Sequence, residues 1–437
     1  MLSVALTLPL VLSPQDPSPP AILPLRERAE RMDAWLEHRL DTLAPALMRE
    51  AGVDLWIVLA REYNEDPVIE TMLPATWMAA RRRTILLFRD PGEGKEVERM
   101  AVARYDIGRF FQTAWDKEAE PNQWKRLGEL VESFDPERIA VNVSPTFALA
   151  DGMTASQFAE LRRSLGGRAA RIVTDHALPI RWLETRTAPE MEMYPSIVAL
   201  AHRLIAEGFS RNVIEPGKTT TKDVEWWFRE RIAEWKLGTW FHPSVSLQRN
   251  EAEEHSGSFA SKPGERVIER GDLLHVDIGI TYLGLNTDTQ QHAYVLREGE
   301  TDAPEGLRKA LAVGNRLQDL LMGEFATGRT GNEILAATRK AAEDEGIVPS
   351  IYTHPLGMHG HGAGTTIGLW DQQGGVPGKG DYPLYAQTAH SIELNASVDV
   401  PEWGGQTVRI MLEEDAFFDG EACRFLDGRQ ESFLLLR

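Results

Sequence analysis

The chain has 437 residues, more than one ordinary core accommodates, so two domains are expected. Its 47 Lys and Arg against 66 Asp and Glu give a net charge of −19, which argues against nucleic acid or an anionic membrane surface as partner. A single cysteine, Cys423, excludes an internal disulfide and a cysteine-built metal cage.

The opening residues, MLSVALTLPLVLS, are apolar enough for the core of a signal peptide but lack its basic start and an A-x-A cleavage site. A Pro-rich spacer, SPQDPSPP, follows, so residues 1–24 read as a disordered or signal-like segment. No later stretch reaches the ~20 apolar residues of a membrane span. Leu25, Met32, Leu36, Leu40, Leu43 and Leu47 fall at helical spacing and predict a helix over 25–51. VDLWIVLA (53–60) reads as a buried strand. TILLF (84–88), RMAVAR (99–104), RIAVNVS (138–144) and RIVTD (171–175) are further strand candidates, with a helical stretch, Thr154–Leu165, between the last two. Strands alternating with helices predict an α/β domain over 25–185. It holds no ligand-like cluster of His and carboxylates.

The second part, 186–437, opens on a helical pattern over 189–212. In IEPGKTTTKDVEWWFRERI, Pro216-Gly217 marks a turn and Thr220-x-x-Asp223 can cap the next helix. From about Trp240 onward the chain reads as strands and Gly-rich loops.

Four segments here are rich in ligand-type side chains. LLHVDIGITYLGLNTDTQQ (273–291) reads as a β-hairpin with one aspartate on each arm, Asp277 and Asp288. Placed directly opposite each other, they centre the turn between Tyr282 and Leu283 and put two like charges about 4.5–5.5 Å apart, a destabilising arrangement. HPLGMHGHGAG brings His354, His359 and His361; HSIELN brings Glu393; VRIMLEED brings Glu413 and Glu414. Singly, each has an ordinary reading as a solvated strand face, a polar loop or a surface carboxylate. Jointly, Asp277, Asp288, Glu393 and Glu413 carry four negative charges, prohibitively costly to bury unpaired. Two divalent cations would neutralise them. Oxygen-rich sites with one imidazole suit Mn²⁺, Co²⁺, Fe²⁺ or Zn²⁺.

The order Asp, Asp eleven residues on, His in H-x-x-G, Glu, then Glu after an R-I strand resembles the pita-bread metallopeptidases of the creatinase/aminopeptidase fold. These include Xaa-Pro aminopeptidases, prolidases and methionine aminopeptidases. IEPGKTTTKDVE is similar to the family's I-x-P-G-x-T segment. The resemblance implies an α/β N-terminal domain of the creatinase type followed by an α+β pita-bread catalytic domain. It implies Asp277, Asp288, His354, Glu393 and Glu413 as ligands of two divalent metal ions, manganese first, with cobalt, zinc or iron as the others. His354 is preferred because His361 lies seven residues on, where the family places a substrate-facing histidine. His359 and His361 also begin H-x-x-G, and Glu414 competes with Glu413, so these alternatives stay open. His255, in NEAEEHSGS, resembles the family's upstream catalytic histidine.

The implied activity is that of an aminopeptidase or dipeptidase hydrolysing short peptides with a metal-bridging hydroxide, with a possible Xaa-Pro preference. Glu393 would relay the proton from that water, and His255 and His361 would donate hydrogen bonds to the substrate or the tetrahedral intermediate. Short peptides and a second copy of the chain are the implied partners, without nucleic acid or membrane. Ser350, Pro355, Gln290 and Gln291, and the extra Met411-Leu412, depart from the pattern and bear on specificity. Other readings are a metal-dependent lyase on the same fold, or a non-catalytic peptide-binding protein.

Overall fold

A computed structural model describes residues 21–174, 177–250 and 264–437. The expected first helix forms as two, α1 (Leu25–His38) and α2 (Ala44–Glu50), joined by a π-helical turn at Arg39–Leu43. Pro45 lacks the N–H that a continuous α-helix needs there. Arg39 is withdrawn from water at the same turn, with its guanidinium 3.0 Å from Glu190.

Six strands follow: β1 (Leu55–Arg61), β2 (Arg83–Arg89), β3 (Glu98–Val102), β4 (Gln112–Thr113), β5 (Ile139–Val141) and β6 (Ile172–Val173). Helices α3 (Pro67–Glu70), α4 (Gln123–Phe134) and α5 (Ala155–Leu165) lie between them. The strands pair in the order β4-β3-β2-β1-β5-β6, with β1 antiparallel to β2 and parallel to β5. Trp56, Val58 and Ala60 face a core shared with Leu40 and Leu47. Leu55, Ile57 and Leu59 face a second core with Leu127, Val131 and Leu161. Burial on both faces is why LWIVLA shows no polar alternation.

Helices α6 (Leu178–Glu184) and α7 (Ala188–Met191) lead to α8 (Tyr194–Gly208) and α9 (Thr221–Glu234). The cap expected for α9 forms. Thr220 Oγ1 accepts the Asp223 N–H at 3.1 Å, and the Asp223 carboxylate accepts the Thr220 N–H at 2.8 Å. Strands β7 (Ser244–Gln248), β8 (Leu273–Ile278), β9 (Thr281–Tyr282), β10 (Leu285–Asn286) and β11 (Thr289–Val295) come next.

Two helices then break the strand-and-loop pattern expected after Trp240: α10 (Glu305–Gly323) and α11 (Gly331–Asp344). Their signals are Leu307, Ala310, Leu311, Leu317 and Leu321 at helical spacing, and a Thr330–Glu333 capping box. The chain ends in β12 (Val348–Ile351), β13 (His354–Leu356), β14 (Thr388–Ser391), β15 (Leu394–Val400), β16 (Gln406–Leu412), β17 (Asp415–Phe418), β18 (Cys423–Phe425) and β19 (Leu434–Leu436).

These strands make sheets ordered β19-β11-β8-β7, β12-β15-β16 and β13-β14-β17-β18. Helices α8 and α9 cover the first through Ile197, Val224, Phe228, Val276 and Ile278. Helices α10 and α11 cover the second through Leu311, Leu335, Leu394 and Ile410. A backbone bridge between Gln290 and Glu413, with N···O distances of 3.0 and 3.3 Å, joins the first sheet to the end of β16. Among the described residues no helix is long and apolar enough to cross a membrane.

Candidate metal centre

The aspartate hairpin forms, but in a different register from the one expected. Asp277 pairs with Gln290 and Ile278 with Thr289. The tip pairs Tyr282 with Leu285, and Leu283 and Gly284 between them both have positive φ, 55° and 76°. Two consecutive left-handed residues define a type I′ turn, whose twist matches that of the flanking strands. The turn is therefore centred between Leu283 and Gly284, and Asp277 does not face Asp288. Asp288 is its diagonal neighbour on the same face, a relation that spaces residues about 7–8 Å apart instead of in direct opposition.

Around that seam the candidate side chains converge. Ligand-type atoms of Asp277, Asp288 and Glu413 lie within 4.8 Å of one another, as do those of His354, Glu393 and Glu413, and those of Asp288, His354 and His361. His354 Nε2 is 3.5 Å from Asp288, 3.5 Å from Glu413 and 3.8 Å from Glu393. Its Nδ1–H donates to the Pro355 carbonyl at 3.0 Å, which leaves Nε2 to face the carboxylates. Ser391 Oγ donates to Glu413, and the Asp288 N–H donates to Asp415 at 3.1 Å.

The electrostatics are those of a site with more negative than positive charge. Burial, then repulsion from Glu413, pushes Asp277, Asp288 and Glu393 well above the usual carboxylate range. Burial opposes charge on His354, but the close approach of Glu413 and then Glu393 raises it to about 9. Among the described residues no Lys or Arg forms an ion pair with any of the four carboxylates. Asp277 Oδ1, Asp288 Oδ1 and His354 Nε2 are buried without a hydrogen-bond partner. Orphaned hard oxygens and an imidazole nitrogen at one point fit divalent cations as the missing partners.

The competing residues are placed differently. Glu414, next to Glu413 in sequence, accepts from Gln291 Nε2 at 2.9 Å and the Gln430 N–H at 3.1 Å, and lies 2.6 Å from His202 Nε2. His359 lines a cavity of about 240 Å³ with Met32, Trp35 and Leu283, and none of the three groupings contains it. His361 lies edge-on to His354 at 4.6 Å and edge-on to Trp240 at 5.0 Å. Desolvation by the groups crowded against it, then the His354 charge, lowers His361 to about 4 even though part of its side chain is open to solvent, so it is neutral near pH 7. His255 lies outside the described residues.

Three neighbours escaped the sequence reading. Ser391 and Asp415 flank the ligand segments. Trp240 packs so closely that a Cβ on Gly360 would lie 2.2 Å from its ring and one on Gly279 2.3 Å. Gln290, read from the sequence only as a departure from the family pattern, faces Asp277, a position the pairing register alone reveals.

A two-part chain with a buried His-carboxylate cluster at a sheet seam defines a metalloenzyme architecture. The chain belongs to metallopeptidase family M24, whose model matches residues 196–415, half of its length. The fold is the pita-bread fold preceded by an α/β unit, as in solved structures of similar shape. An X-Pro aminopeptidase from Thermotoga maritima MSB8 aligns at TM-score 0.63 and 17% identity, covering 89% of this chain and 99% of its own. An Xaa-Pro dipeptidase from Bacillus anthracis aligns at 0.59 and 16%, covering 94% and 100%. Dipeptidase PepE from Mycobacterium ulcerans aligns at 0.58 and 18%, covering 95% and 99%. At these identities the likeness is one of fold. Comparison with curated protein sequences returns no match.

Proposed function

We propose that this metal-dependent peptidase uses two divalent cations, manganese first, to hydrolyse short peptides as an aminopeptidase or dipeptidase with a preference for Xaa-Pro bonds. The observation that carries the reading is the convergence of Asp277, Asp288, His354, Glu393 and Glu413, with three of their buried polar atoms unpartnered. Asp277, Asp288 and Glu413 would hold one cation, and His354, Glu393 and Glu413 the other. When bound, the cations supply Lewis-acid polarisation of the scissile carbonyl and an acidified water.

The chain's own residues do the rest. Glu393, which would be ionised beside the cations, would take a proton from the water and pass it to the leaving amine. His361, neutral and exposed at the edge of the cluster, donates a hydrogen bond to the developing oxyanion. His255 is the second proposed donor. Trp240 forms an apolar wall beside His361, suited to an uncharged side chain or a proline ring. The names of the similar structures support the Xaa-Pro preference.

The test is metal content after reconstitution with Mn²⁺, combined with hydrolysis of a panel of Xaa-Pro and non-proline peptides. About two cations per chain are expected, and Asp288→Ala should abolish both binding and turnover. Less than one cation per chain together with no hydrolysis refutes the reading.

A further inference from the structure

Gln290 is 2% exposed at the centre of the cluster, opposite Asp277 in the β8–β11 ladder and bridged through its backbone to Glu413. Its Nε2 donates to Glu393 Oε1 and to Glu413 Oε2, each at 2.6 Å, so both amide hydrogens are used. The opposite amide orientation would set an oxygen against two carboxylates.

With the amide nitrogen toward the carboxylates, Oε1 faces His275 Nε2 at 2.9 Å, and that nitrogen must carry the proton. His275 Nδ1 is then the acceptor side, 3.4 Å from Ser246 Oγ. The ring beside it, His292 at 5.1 Å, is fixed as neutral: Nδ1–H donates to Leu274 O at 3.0 Å and Nε2 accepts the Met411 N–H at 3.0 Å. The arrangement is a chain of neutral groups ending on two carboxylates.

We propose that Gln290 is a positioning residue that holds Glu393 and Glu413 as metal ligands, and that His275 locks its amide in the orientation required. The inference rests on the two-cation reading. Its chemical point is neutrality. A Lys or Arg here would cancel a carboxylate charge and compete with a cation. A Glu would add a fifth negative charge. An amide occupies one lone pair on each of two carboxylates and leaves the charge that the cations must balance untouched. Holding both glutamates in place before loading removes the ordering that a cation would otherwise impose.

Gln290→Met keeps the length and volume but donates nothing. Calorimetric Mn²⁺ titration of the folded, chelator-treated full-length protein should show affinity reduced about 10- to 100-fold, the range expected for loss of an outer-shell partner. At saturating Mn²⁺ the KM for peptide should be unchanged. A purely packing role would instead lower the melting temperature of the metal-free protein and leave Mn²⁺ affinity alone. His275→Phe frees the amide to turn and should give a smaller loss in the same titration. It also decides the matter if Gln290→Met does not fold.

Wild-type affinity in Gln290→Met, or in His275→Phe when the first variant is unfolded, overturns the inference while leaving the two-cation reading standing. Wild-type protein that takes up no Mn²⁺ overturns both.

Discussion

His202 on α8 is held between two carboxylates, its Nε2 2.6 Å from Glu414 and its Nδ1 2.8 Å from Asp427. Burial opposes its charge, yet hydrogen bonding and attraction to these two partners raise it from 6.5 to about 9. Because the folded value is the higher one, the imidazolium stabilises the fold fully below about pH 6.5, its ordinary value when unfolded. That stabilisation is lost as pH rises through 9. The side chain is only 17% exposed, so solvent screening does not erase the effect. At ~1.4 kcal/mol per pH unit the rise corresponds to roughly 3 kcal/mol, as an order of magnitude. Urea unfolding of chelator-treated wild type and His202→Gln, followed between pH 6.5 and 9.5, reads it directly. The wild type should lose about 3 kcal/mol more than the variant over that window. Parallel pH slopes for the two proteins would refute the assignment of a charged His202.

Three further outcomes are expected. His354→Ala should lose bound Mn²⁺ and turnover, whereas His359→Ala should keep the metal; loss of metal in the second would move the ligand to the wrong histidine. Gly360→Ala forces a Cβ to within 2.2 Å of the Trp240 ring, which also abuts Gly279 and is tied to Thr287 O at 2.9 Å. It should destabilise by about 1–3 kcal/mol and lower kcat through His361, and an unchanged melting temperature and kcat would contradict the packing described. Gly284→Ala meets only Met32 at 3.4 Å but keeps φ at +76°, so a strain of about 1–2 kcal/mol in urea unfolding is expected; no loss would mean that the turn is not type I′.

Composition and period carried much of the architecture. The runs at 53–60 and 84–88 became neighbouring strands because their apolar residues are continuous, and Thr220 and Thr154 capped helices because their partners lie three residues on. The hairpin was legible, but its register was not. The turn places a leucine at φ +55°, a residue that carries no turn signal, while Asn286, which does, sits in a strand. Adjacent residues on a strand face opposite ways, so only one of Glu413 and Glu414 can join the cluster. The choice depends on how the end of β16 meets β11, a contact across 123 residues of sequence. The three histidines were ambiguous for the same reason: each begins H-x-x-G, and only the fold separates the ring at the carboxylates from the ring at the α1 cavity.

The tip of the aspartate hairpin has a consequence for how the chain is divided. Leu283 and Leu285 are 5% and 1% exposed, Gly284 abuts Met32, and the Tyr282 hydroxyl accepts the Leu23 N–H at 3.0 Å. Trp35, on the same first helix, packs in the core built by α8, α9 and β8, while Leu36, one residue on, packs in the core under β1. Helix α1 is thus a rivet driven through both halves. A chain that began at Arg186 would keep every proposed ligand yet leave the hairpin that presents two of them with a bare, greasy tip, prone to self-association. Helix α1 is, in folding terms, the last layer of the second half.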